Sequence, residues 1–166
     1  EILRGLGYDF EMVVLEPPKG SWRELWQTLR RVIPSPNLGR IARAAAFAYG
    51  KLAAVDETER MVNRVRPREL NRGQTTRVWR ECQAILAPIA SVHGLRTAVH
   101  RCHELLANIP VAPDRPPLRV ALGGEIYMVL EPAVNFELER VLGESGVEVK
   151  REIYLSAWVR DQLLRN

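Results

Sequence analysis

Leu118-Arg119-Val120-Ala121-Leu122-Gly123-Gly124-Glu125-Ile126-Tyr127 is a short apolar run that stops on two glycines and an acid. Five residues rich in aliphatic side chains, entered from Pro116-Pro117 and left through glycine, read as a strand rather than a helix. The order of elements after it decides the class. Ala133 to Leu142 carries helical spacing, Gly143 and Gly146 mark a turn, Val147 to Ile153 is a second β-run, and Ser156 onward is a final helix. A strand–helix–strand–helix order predicts parallel strands joined by a right-handed crossover. The expected fold class is therefore α/β: a helix-rich segment followed by a βαβα unit of an open, parallel, Rossmann-like sheet.

Upstream, Pro113-Asp114-Arg115-Pro116-Pro117 is a stiff linker and the best internal boundary, giving a strand plus helical segment at 1–112 and the βαβα unit at 118–166. Asp9 to Leu15 is the expected first strand, stopped by Pro17-Pro18-Lys19-Gly20. Ser21-Trp22-Arg23-Glu24 has the form of a capping box, opening a helix whose apolar positions run from Trp22 to Ile33. Ser35-Pro36 starts a long helix, with Ile41, Ala44, Ala48, Leu52, Val55 and Val62 on one face, ending before Pro67. Thr75 or Thr76 is expected to cap a third helix that Pro88 kinks and Gly94 breaks. Leu95 to Ile109 forms a fourth, closed by Pro110. The tryptophans at helical spacing read as core or interface anchors.

The 166 residues carry a net charge of +4, and 24 basic residues include only three lysines, Lys19, Lys51 and Lys150. Arginine suits bidentate recognition of phosphate or carboxylate. Because acids are interleaved with the arginines, no single-sign stripe marks a nucleic-acid binder, and none is expected. No apolar run approaches the ~20 residues of a membrane span. Two isolated cysteines, Cys82 and Cys102, fall in the apolar stripes of helical patterns, where they are expected to face the core, and they fit a reducing cytoplasm better than a secreted scaffold. The first helical turn opens without an initiator methionine and the last helix has no stop signal, so a segment of a longer polypeptide is expected.

Three constellations could carry chemistry. Gly123, Gly124 and Glu125 stand at the C-terminal end of a strand, where open α/β sheets place their ligand crevice, with Tyr127 and Asn135 as further lining candidates. The alternative is a tight strand exit with Glu125 capping a turn. Arg66, Arg68 and Arg72, in a loop shaped by Pro67 and Gly73, could hold a phosphate-bearing group such as coenzyme A or a nucleotide; alternatively they form a charged turn between helices. His100 and His103 share a helix face, but Cys102 falls in the apolar stripe, so no metal site is expected. No nucleophile elbow, zincin motif or clustered carboxylate pair is present, and catalytic residues are not assigned.

Asp56 on its helix, Arg66-Pro67-Arg68-Glu69 with Gly73, Gly124-Glu125-Ile126-Tyr127, Glu131-Pro132 and Asn135 occur in an order that resembles the acyl-CoA dehydratase activase-related proteins, over roughly Ala54 to Val149. Arg68 stands where that family's Arg-Pro-Tyr-Glu stretch has an aromatic residue. The resemblance implies a scaffold or docking module, with a ligand crevice, inside a larger protein. Its implied partners are other domains of that protein or an ATPase activase-like component. An iron–sulfur cluster, if the parent holds one, would need cysteines from elsewhere, since two cannot supply four thiolates; no cofactor is expected in this segment.

Overall fold

In a computed structural model of the chain, the structure describes residues 5–8, 26–27, 30, 33, 37–112 and 116–164. The strand expected at Asp9 to Leu15, the capping box at Ser21 and the Ser35-Pro36 start lie outside the described residues. The longest element is helix α1, Leu38–Val65, whose 28 residues span about 42 Å. Asn37 is its N-cap and accepts a hydrogen bond from Arg40 N at 3.0 Å. Pro67 ends it by forcing a 3-10 turn, Arg66–Arg68.

Helix α2, Gln74–Leu86, starts differently from expectation. Neither Thr75 nor Thr76 caps it: Gly73 holds the N-cap position at φ +82°, and the Glu69 carboxylate accepts from Gly73 N at 2.5 Å and Thr75 N at 2.6 Å. A left-handed glycine lets the chain enter the helix one residue before the threonines, which leaves Thr75 buried in the first turn. Pro88 does not kink a continuous helix. The ladder stops at Leu86, and Lys51 Nζ on α1 donates to the exposed carbonyls of Ala87 (2.8 Å) and Ile89 (3.0 Å). Nor does Gly94 break anything. It sits in the first turn of α3, Val92–Ala107, where its N–H donates to the Ser91 cap hydroxyl at 3.1 Å. A Cβ there would lie 2.9 Å from that oxygen, so the capped turn itself selects glycine.

Val62, Leu86, Leu95, Leu106 and Ile109 pack with Cys82 and Cys102 into the principal core between α1, α2 and α3. Both thiols are fully buried, and each points at the other's backbone carbonyl. Burial pushes the Cys82 thiol up to about 12 and raises Cys102 as well. Both should resist thiol reagents in native protein. A raised folded pKa means that this stabilisation is complete below the ordinary thiol pKa of about 8.5 and is lost as pH climbs toward 12. Denaturant titrations at pH 8 and pH 10.5 should show lower stability at the higher pH, and a smaller drop in the double Cys→Ala variant.

Strand β1, Leu118–Leu122, pairs in parallel with β2, Val147–Arg151, in the register Leu118↔Val147 to Leu122↔Arg151. The protein is thus α/β. The crossover is not the single helix expected at Ala133 to Leu142. It is split into α4, Ile126–Leu130, and α5, Leu138–Glu144. Pro132 removes a ladder donor, and Phe136 and Glu137 turn left-handed at φ 57° and 55°. Gly143 lies inside α5, leaving Gly146 (φ +87°) to make the turn. The second strand ends at Arg151, two residues short of expectation, and the chain continues into α6, Leu155–Leu164. Buried Asp56 on α1 accepts Ser156 N at 2.8 Å, tying the first turn of α6 to the long helix.

Candidate functional site

The C-terminal half of α1 is the wall between two concavities. Glu59, Val62, Asn63 and Arg66 recur at three- and four-residue spacing on one stripe, while Arg60, Arg64 and Arg68 continue an adjacent one. The first stripe faces a cleft of about 210 Å³, closed by Thr76, Trp79 and Arg80 of α2, the Pro132–Arg140 stretch, and Arg151 of β2.

Its floor is an ion network. Arg151, 5% exposed, pairs with Glu59 and places Nε 2.9 Å from Glu139 Oε1. Burial opposes the Arg151 charge, but the two carboxylates prevail and raise its pKa. Glu139 is pushed up by burial against the pull of Arg151, and it accepts a 2.7 Å hydrogen bond from Asn63 Nδ2. Asn63 in turn accepts from Arg66 Nη1 at 3.2 Å. Arg66 is also 5% exposed, its pKa lowered by desolvation that Glu139, Glu144 and Glu69 only partly offset. Its Nε is buried and has no hydrogen-bond partner among the described residues. Its stem lies on Gly143, where a Cβ would come within 2.7 Å of Arg66 Cδ, so a helix-interior glycine is what makes room for this arginine. Tyr154 closes the far side of β2, with Arg60 and Arg151 at 3.8 and 4.9 Å from its ring centroid.

The sequence candidates separate on this frame. Arg66 and Asn135 meet in the cleft. Arg68 faces the other concavity and donates to Glu148 at 2.7 Å. Arg72 is exposed and lines neither. Gly123, Gly124, Glu125 and Tyr127 also line neither. Glu125 is the N-cap of α4, its carboxylate accepting from Tyr127 N at 3.0 Å and Met128 N at 3.1 Å. Gly124 adopts φ +153°, a conformation that favours glycine at the strand exit, whereas a Cβ on Gly123 would meet only the movable Glu152 carboxylate, at 2.5 Å. Asn135 stitches the split crossover, donating to the Met128 and Val129 carbonyls and accepting from Leu138 N at 3.2 Å.

Sequence reasoning missed Arg151, Glu59, Glu139 and Arg80. A signal was present for the first. The two-residue period that turns Val147 and Val149 inward also turns Arg151 inward, and a buried guanidinium requires carboxylates. His100 stays on the surface, 3.3 Å from Glu104, while Cys102 is in the core, so these two share no face. No helix among the described residues is long and apolar enough to cross a membrane. No family model, curated protein or solved structure matches the chain.

Proposed function

We propose that this chain is an anion-binding α/β domain whose cleft takes one small oxyanion, a carboxylate or a phosphate, between Arg66 and Arg80. A single observation carries it. Of the four guanidiniums lining the cleft, Arg151 is neutralised by Glu59 and Glu139 and Arg140 by Glu137 and Glu144, whereas Arg66 and Arg80 have no described carboxylate within ion-pair distance. A buried Arg66 that lacks a described ion-pair partner, beside an Arg80 that also lacks one, favours a bound anion. At about 210 Å³ the space lies below the roughly 300–1,000 Å³ of drug-sized pockets, so it suits an anionic group rather than a whole coenzyme or nucleotide.

On this reading the two strands are the beginning of a wider, Rossmann-like parallel sheet, and the domain serves within a larger acyl-CoA dehydratase activase-related polypeptide. The family reading is supported by the segments around Arg66, Gly124 and Asn135. A docking role is favoured by exposed Tyr127, Met128 and Phe136 around the split crossover; amide exchange there should slow when neighbouring domains of the parent are present.

Thermal unfolding against phosphate, succinate and citrate tests the cleft. A ligand at a hundredfold excess over Kd should stabilise the protein by about 2.7 kcal/mol. The Arg80 side chain is exposed and makes no hydrogen bond to another described residue. Arg80→Gln should therefore leave the unliganded melting temperature in place while abolishing the response. Absence of any response, or a response undiminished in Arg80→Gln, would sink the proposal.

A further inference from the structure

The second stripe of α1 faces a larger groove, about 800 Å³, that the oxyanion cleft does not explain. Arg60, Arg64 and Arg68 line one wall at four-residue spacing, and Arg119 of β1 and Lys150 of β2 stand with them. Glu148 is the one carboxylate in the lining, already held by Arg68 at 2.7 Å and Arg119 at 3.5 Å. Arg64 and Lys150 are exposed, and no described carboxylate pairs with either. Between the cations lie Val65, Val111, Val120 and Val149, an apolar floor.

We infer that this groove binds a ligand carrying a chain of two or more phosphates, with the arginine forks and Lys150 on the phosphates and any organic body on the valine floor. Charge decides between occupants: Arg60 is paired with Glu57 at 3.3 Å, outside the lining, and Arg68 and Arg119 share Glu148, so five cations answer to two described carboxylates and the excess calls for several negative charges in a small volume, which a single carboxylate cannot supply. Size agrees, because the groove falls within the range of small-molecule sites. Single-stranded nucleic acid would use aromatic platforms. The aromatic residue of this groove, Tyr154, already has Arg60 and Arg151 against its ring.

Calorimetric titration of the whole chain with inorganic triphosphate and with adenosine triphosphate tests the inference. Both should bind, more weakly as salt rises. The double variant Arg64→Gln/Lys150→Gln should bind at least tenfold more weakly at an unchanged melting temperature, since neither side chain is paired. Equal affinities would place recognition in the phosphates alone, and tighter binding of the nucleoside ester would add the valine floor; both support a polyphosphate site. Arg80→Gln, which disables the cleft, should leave this binding untouched, so the two proposals fail separately. Binding of neither triphosphate, indifference to the double variant, or tighter binding of hexaglutamate or oligothymidylate would each overturn it.

Discussion

Arg151→Ala should destabilise the protein by about 3–5 kcal/mol, the loss expected when one partner of a buried ion pair is removed and the other charges stay behind. Glu59 and Glu139 would both lose their cation; Asn63 would still donate to Glu139, and Glu59 would keep no donor among the described residues. The network joins α1, α5 and β2, so its loss falls on the contact between the helical layer and the sheet. The penalty should depend on pH, with a sign fixed by the carboxyl that is left behind. Burial already raises the Glu139 carboxyl, and removing Arg151 raises it further above the ordinary glutamate value of about 4.3. A carboxyl with a raised folded pKa binds its proton more tightly in the native state, so the deficit is present above that pKa and shrinks on acidification. Urea unfolding of variant and parent at pH 7.5 and pH 5 should show the smaller difference at pH 5. A loss below about 1 kcal/mol at pH 7.5 would mean that water screens the network as it does a surface pair.

Leu106→Ala should destabilise by about 2–5 kcal/mol. Leu106 is 0% exposed in the cluster of Val62, Cys82, Leu86, Leu95 and Cys102, where three helices meet and little can collapse into the vacated space. For a chain of this size each kcal/mol lowers the melting temperature by about 2–4 °C, so the transition should move by several degrees at least. Leu70→Ala is the control. Leu70 is 64% exposed, and its truncation should stay within about 0.5 kcal/mol. Comparable losses in the two variants would mean that Leu106 is not at the packed centre.

Local signals were legible wherever one element decides the outcome. The Leu118–Leu122 run formed the expected strand because its glycine exit and aliphatic content need no partner to be recognised, and Val147 gave the second strand by the same logic. The apolar stripes that hold Cys82 and Cys102 carried both cysteines into the core. Errors arose where two elements compete for one backbone group. Glu69 reached the amides at the start of α2 that the threonines were expected to cap, and Lys51, far away in sequence, took the Ala87 and Ile89 carbonyls that flank Pro88. Helical spacing between Ala133 and Leu142 was real, but Pro132 and the Asn135 hydrogen bonds made a turn of its first half.

Periodicity, punctuation and composition are properties of neighbours along the chain, and they sufficed for an α/β protein with a long helix ending before Pro67, a buried cysteine pair and an arginine-rich composition. Which arginines are used is a property of neighbours in space. Arg66, Arg68 and Arg72 look alike in sequence, yet Pro67 and the 3-10 turn send Arg66 inward beside Gly143, Arg68 to Glu148 across the groove, and Arg72 to the surface. Only the packing of β2 and α5 against α1 brings Glu59 and Glu139, eighty residues apart, onto one guanidinium, because the low-dielectric interior formed by that packing makes the charge costly and its partners necessary.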